Sequence, residues 1–473
     1  MSGGRSTMVR TGAAANIVAA GAAAAAFAFT SPLFSSADEA AHVDYAYQVW
    51  SGHLPVFEEG LRIHPAFGFL PPVQWTAQHP PLYYLLQAPF VGPFADAGDY
   101  LAAGYAARAV NVAIVCALVA AVMWAAAAIL PGRRAVWLTA GTVTAASPWV
   151  IRVGGSVYND AFGALWATLV VGVTAVILRR GPSPRRVAAL GATMALALSS
   201  RAALIVVVAA CAGVVGLVLL LRRRLGAAAV VAAVTAAAVA VTAWFYVRNL
   251  RLTGSLLGGH PDWSEENLGR VQRPVTEVVT DWTTWRSLLS VYGNSVLSPW
   301  LVTAVLAAVP VAVAVCLYGA RLVRSRPPRL SDLASATVVC AVPLAFVAMQ
   351  LQYAAGGGGL NPRYLLPVVL SVSLAVSTAL VAARRWTPVL LAAWLALAVG
   401  EFAAWVLRAL PSAGLAGAET APTFPGAAVV ALVVAACAFV LALAAVSDTT
   451  ARNRDERRTG RHRVPRPQPV EVA

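Results

Sequence analysis

Stretches of about 20 apolar residues, parted by short polar spacers, recur along the whole 473-residue sequence. A backbone crossing lipid must satisfy its own hydrogen bonds, so such runs fold as helices. Composition agrees. The chain is 59% hydrophobic and 12% charged, with a mean hydropathy of +0.71, whereas a soluble domain carries about 25% charge. The runs predict an all-α polytopic membrane protein of about twelve spanning helices, at residues 13–34, 103–130, 135–152, 160–178, 187–200, 202–221, 226–246, 299–319, 334–355, 364–383, 387–409 and 426–446. The first run is too long for a cleaved signal and is expected to stay as a membrane helix.

The net charge of +15 comes from 35 basic residues, every one an arginine. They cluster in short spacers such as "RRGPSPRR", "LRRRL" and "RLVRSRPPR". That is a topology signal, not a nucleic-acid stripe, and no nucleic-acid partner is expected. Basic spacers alternate with arginine-poor ones. Both termini are therefore expected in the cytoplasm, with residues 35–102, 153–159, 247–298, 356–363 and 410–425 outside the cytoplasmic membrane. Residues 1–447 read as one membrane domain, and 448–473 as a disordered basic cytoplasmic tail. Five cysteines all fall inside apolar runs, so no disulfide is expected.

This placement gathers the polar chemistry on the outer side, including five of the six histidines. "SSADEAAHVDYAYQVWSGHLP", residues 35–55, follows the first span directly. "SADE" fits a capping box with Ser36 as N-cap and Glu39 reaching back. The helix it starts carries Asp38, His42 and Tyr45 on one face and would lie at the membrane surface. An interfacial helix needs its aromatics, but not Asp38 and His42. "DEAAH" is not a zinc-protease motif, because Asp38 stands where the first histidine ligand belongs. "TAQHPPLYYLLQAPF", residues 76–90, places His79 before two prolines and a second surface helix. "SVYND" opens a later span with Asn159 or Asp160 as N-cap.

Arg108, Arg201 and Arg363 sit at outer helix ends, against the positive-inside rule. With outer carboxylates nearby they suggest a bound phosphate, since guanidinium forks onto phosphate oxygens. Gly356 to Gly359 beside Arg363 read as a mobile turn. Glu401 lies inside a span, where a charge is costly, with Arg408 about two turns away.

The acidic "DE" after the first helix, "HPPLYY", the helix-opening "ND" and "RYLLP" together resemble the GT-C integral-membrane glycosyltransferases. The nearest likeness is to bacterial relatives of protein O-mannosyltransferases and of aminoarabinose lipid A transferases, over roughly residues 10–450 in topology. The resemblance implies a hexosyl or pentosyl donor on a polyprenyl phosphate, presented from the outer leaflet of the bilayer, and an acceptor hydroxyl on protein, glycan or lipid. It implies Asp38 as general base with Glu39 adjoining it, and Asp160 as a second acidic position on the acceptor side with His42 and His79. It implies Arg201 and Arg363 on the lipid phosphate, with Arg108 a further candidate there. The Trp-rich loop 247–298 departs from the pattern and leaves the acceptor open.

The chemistry is coherent on its own terms. An inverting transfer needs one carboxylate to take the acceptor proton and cations on the departing phosphate. Asp38, Glu39 and Asp160 offer oxygen ligands for a divalent cation, but no spacing demands one. The rival reading is a transporter or lipid-linked-sugar flippase, toward which Glu401 leans.

Overall fold

A computed structural model describes residues 2–289, 299–324, 329–409 and 419–458. Helices account for nearly all of it: α1 (Ser2–Thr30), α2 (Ala37–Trp50), α3 (Leu82–Asp96), α4 (Tyr100–Ile129), α5 (Arg134–Ala145), α6 (Pro148–Gly154), α7 (Asp160–Arg180), α8 (Pro184–Ser200), α9 (Ile205–Leu221) and α10 (Leu225–Thr253) in the first half. Then come α11 (Pro261–Leu268), α12 (Val275–Thr280), α13 (Trp282–Leu289), α14 (Pro299–Thr303), α15 (Val309–Arg324), α16 (Leu330–Ala355), α17 (Val369–Ala382), α18 (Thr387–Ala409) and α19 (Pro425–Arg458).

Every run expected to span is helical, and ten helices among the described residues are long and apolar enough to cross a membrane. The two expected at 135–152 and 187–200 fall short of that length. The first breaks into α5 and α6 because Pro148 forces Ser147 into an extended conformation (ψ 122°). The second, α8, has 17 residues. The expected tail also differs. α19 runs on to Arg458, with an Asp448–Arg452 pair at 2.8 Å along its face. Residues 459–473 lie outside the described residues.

Small residues let the central helices close up. A Cβ at Gly155, just past α6, would sit 2.4 Å from the Ala24 carbonyl oxygen of α1, and one on Gly104 of α4 would sit 2.2 Å from Leu33. α1 also packs along α19 and against α4, and α4 along α7. α7 is the most enclosed span, 72% buried over its apolar window, while α10 is 17% buried and lies at the rim.

The described parts of the five spacers expected outside meet at one end of this bundle. Gly68 donates to the Glu419 carbonyl at 2.9 Å, and Arg248 to Pro55 at 2.7 Å. Arg273 donates its backbone N–H to Ala355 at 2.9 Å, and Val157 donates to Glu39 at 3.1 Å. At the other end Arg179, in the last turn of α7, pairs with Asp332, in the first turn of α16, at 2.8 Å.

The first long spacer folds around Asp44. Its Oδ1 accepts the Arg62 and Ile63 backbone N–H groups at 2.6 and 2.9 Å. Its Oδ2 accepts Gln48 and Gln74 amides at 2.7 and 2.6 Å. One buried carboxylate thus fixes the otherwise irregular stretch after α2.

Candidate active site

Two charge clusters form at the loop-bearing end, and they differ in kind. The first is closed. Ser36 is the N-cap of α2, but its side chain makes no cap bond. The expected capping box is not formed, because Glu39 turns away. Its carboxylate accepts from Phe34 N at 3.0 Å and Val157 N at 3.1 Å. Arg108 Nε and Nη2 grip it at 2.8 Å each. Arg108 spends its other donors on the carbonyls of Ala28 (2.7 Å), Ser31 (2.8 Å) and Pro32 (3.2 Å). Both side chains are fully enclosed, at 1% and 2% exposure. The structure therefore corrects two assignments. Arg108 has no donor left for a phosphate, and Glu39 has no oxygen free for a substrate or a metal. Together they lock the turn after α1 onto α4.

The second cluster is open. Asp38, in the first turn of α2, meets Arg363 through Oδ2. Arg363 Nε lies 3.5 Å from Asp160 Oδ2, at the start of α7. The other oxygen of Asp160 pairs with Arg201, at the end of α8. The result is a chain of alternating charge: Asp38, Arg363, Asp160, Arg201. Three members are enclosed, with side-chain exposures of 2% for Asp160, 8% for Arg363 and 9% for Arg201, but Asp38 is 30% exposed. Asp38 is thus the member a substrate can reach.

Local sequence explains the placement. In "VYND", Asn159 takes the N-cap position without a side-chain bond, and Asp160 follows where a helix start favours negative charge. In "NPRYLLP", Asn361 Oδ1 accepts the Arg363 N–H at 3.1 Å, and Pro362 starts a 3-10 turn over Pro362–Val368. That turn aims Arg363 at the face of Tyr158, 4.3 Å from its ring centre, with the Tyr364 ring at 5.3 Å. Arg201 shares Tyr364 at 5.2 Å. The preceding glycines are packed, not loose. A Cβ at Gly358 would lie 2.4 Å from the Tyr353 ring, and one at Gly359 would lie 2.7 Å from Arg270 Cζ. The expected mobile turn is a place of close approach, where Arg270 of the long loop lies on the backbone.

His42 and His79 line the side of this cluster. Their rings lie parallel with centroids 6.0 Å apart. His42 Nδ1 shares a 2.8 Å hydrogen bond with Tyr84 OH, and Tyr45 OH donates to the His79 carbonyl at 2.9 Å. Burial, and then the charge of His79, drives the His42 imidazole well below its usual range. Burial, and then Arg201, lowers His79 to about 3. Both rings are neutral near pH 7, so they offer hydrogen bonds and not charge.

The segment "HPPLYY" contributes more than its histidine. Tyr83 OH donates to Asn111 Oδ1 at 2.8 Å, and Asn111 Nδ2 donates to the Tyr158 carbonyl at 3.1 Å. Asn111, Tyr158 and Tyr364 were not singled out from the sequence. Tyr364 adjoins Arg363 and Tyr158 stands two residues before Asp160, which is the signal the sequence offers. Asn111 sits in an apolar run, and its partners are far away in sequence.

Among the described residues, no group of three or more His, Cys, Asp or Glu side chains could hold a metal ion. Asp38 and Asp160 both face Arg363, and Glu39 faces Arg108, so the three carboxylates do not form one oxygen cage. Glu401 is 8% exposed, and its Oε2 has no hydrogen-bond partner among the described residues. The side chain of Arg408 lies outside the described residues.

No protein-family model and no curated protein sequence matches this chain. Solved structures do. The oligosaccharyltransferase of Archaeoglobus fulgidus in its apo form aligns at 14% identity and a TM-score of 0.51, over 92% of this chain and 56% of that one. The A. fulgidus oligosaccharyltransferase AglB in complex with an inhibitory peptide and a dolichol-phosphate aligns at 12% identity and 0.51, over 93% and 56%. ArnT from Cupriavidus metallidurans bound to undecaprenyl phosphate gives 16% and 0.48, over 93% and 78%. This chain spans about half the length of the oligosaccharyltransferase. At these identities the likeness is one of fold: the chain has the all-α GT-C fold.

Proposed function

We propose that this GT-C-fold membrane protein is a glycosyltransferase. In this reading it moves one sugar, with inversion, from a polyprenyl phosphate to an acceptor hydroxyl at the outer face of the cytoplasmic membrane. The observation that carries the reading is the accessible carboxylate of Asp38, set at the open end of a buried arginine–aspartate chain. A polyprenyl carrier suits a site at the ends of spanning helices, because its chain stays in the bilayer while its head reaches α2. The dolichol-phosphate held by the A. fulgidus enzyme supports that choice of carrier.

Each group has one task. Asp38 takes the proton of the acceptor hydroxyl as its oxygen attacks the anomeric carbon. The bond from that carbon to the phosphate oxygen breaks, and its electron pair leaves with the phosphate. Arg363 and Arg201 stabilise the charge that develops there. Asp160 holds the two arginines in place. His42 and His79 present neutral hydrogen-bonding edges to the sugar or acceptor.

Purified protein should transfer or hydrolyse sugar from radiolabelled polyprenyl-phosphate donors. The Asp38→Asn variant should lose on the order of 10²–10⁴-fold in rate, the span for a lost general base, with its melting temperature lowered only slightly, as for one partly exposed ion pair. Full activity in a folded Asp38→Asn protein would sink the assignment. The second reading, a lipid-linked-sugar flippase, rests on the buried Glu401. Lipid-phosphate binding with no turnover of any donor would favour it.

A further inference from the structure

The two arginines on the carboxylates of α2 are not equivalent. Arg108 has all of its donors bonded, to Glu39 and three carbonyls. Arg363 is buried too, yet its Nε has no hydrogen-bond partner and only faces Asp160 at 3.5 Å. It is a cation held mainly by rings and by one accessible carboxylate. The open cluster is also balanced in charge: two arginines, two aspartates and two neutral histidines. A phosphate that engages Arg363 or Arg201 must therefore compete with a carboxylate already paired to it. Asp160 is 2% exposed and shared by both arginines, whereas Asp38 is 30% exposed and held by Arg363 alone. Asp38 is the partner that gives way.

We propose that Arg363 is exchanged between Asp38 and the donor phosphate, so that donor binding itself frees the base. This deepens the glycosyltransferase reading and rests on it. While Arg363 holds Asp38, Oδ2 is engaged and the carboxylate is turned toward the guanidinium, with only Oδ1 left for the acceptor proton. When the phosphate takes Arg363, Asp38 turns to the acceptor side. Tyr158 and Tyr364 keep the guanidinium in position throughout, because their ring faces bind it whichever anion is present. Donor then binds before acceptor, and an acceptor alone meets an engaged base.

The test is binding, not turnover. Undecaprenyl phosphate, which carries no sugar, is titrated into the full-length protein in detergent, for wild type, Asp38→Asn, Asp38→Ala, Arg363→Gln and the double variant Asp38→Asn/Arg363→Gln, with melting temperatures recorded for each. Removing the competing carboxylate should tighten binding about fivefold, the size of one partly exposed ion pair. Arg363→Gln should weaken binding, and in the double variant the gain from Asp38→Asn should vanish. Unchanged or weaker binding by folded Asp38 variants would overturn the exchange while leaving the transferase reading in place. A gain that persists without Arg363 would also overturn it, since that gain would come from the general field. No binding by wild type would overturn both.

Discussion

Glu39 and Asp38 are neighbours in sequence with opposite fates. Successive residues of a helix point about 100° apart. Asp38 therefore faces the open cluster, and Glu39 faces inward to Arg108, 69 positions away in sequence. The sequence marks both as an acidic pair but does not say which meets the substrate. Asp38, Asp160, Arg201 and Arg363 were legible because each is a charge at a helix end on the side that basic residues avoid. Arg108 met the same criterion and was mis-sorted, because burial and carbonyl partners are not written in spacing. Glu39→Gln breaks a buried pair and leaves Arg108 uncompensated, so it should cost about 3–5 kcal/mol of stability. A large fall in melting temperature is expected, where Asp38→Asn, at a partly exposed pair, shows only a small one. The two histidines carry a pH signature. Folding holds both imidazoles neutral, with His79 lowered to about 3 from an ordinary 6.5. Below about pH 6.5 the unfolded chain takes up protons that the folded chain refuses, so stability falls as pH drops from 7 to 5. The groups around the rings include Tyr83, Tyr84, Tyr158, Asp38, Arg201 and Arg363. Thermal melts across that range should slope downward toward acid for wild type and more gently for His79→Gln.

At the scale of the element, periodicity and proline account for what could be read. Every run expected to span is built of helix, though not always of one unbroken helix, since a lipid-borne backbone has few alternatives. Pro148 stands in plain sight within the run 135–152, and its effect on Ser147 divides that run into two short helices. The long spacer 247–298 was opaque for the opposite reason. Its docking depends on single contacts, such as Phe57 stacked 3.7 Å from His260 and Arg270 lying on Gly359, that follow no repeat. Glycines are legible only as permission, and the structure says for what. Gly155→Ala would drive a methyl into the Ala24 carbonyl on α1, a backbone atom that cannot swing aside. Overpacking of this kind costs about 1–3 kcal/mol. Reduced yield of folded protein and a lower melting temperature are expected, read by fluorescence-detected gel filtration after heating.

For the whole molecule, arginine bias anticipated which spacers would assemble together. The described parts of the five spacers expected outside do meet at one end, where the open cluster lies. We expect that end to face outward. Cysteines introduced at the exposed positions Asp99 and Arg133 should then react with a membrane-impermeant maleimide in opposite fashion. Asp99→Cys should label in intact cells, and Arg133→Cys only after the membrane is opened. The reverse pattern would place the cluster in the cytoplasm and remove an outer-leaflet donor from consideration.

The packing of α1 along α19 has a consequence for how the protein is made. The first helix enters the membrane early, yet the surface it must cover belongs to Pro425–Arg458, roughly 400 residues later. At about 5–20 residues per second, the first helix waits tens of seconds for its partner. Through that interval the nascent protein is a set of inserted helices whose N-terminal member packs on α4 to α6 but has its α19 face uncovered. A message cut short anywhere before Pro425 yields a protein that cannot close on itself, and cellular proteases can recognise it by that open flank.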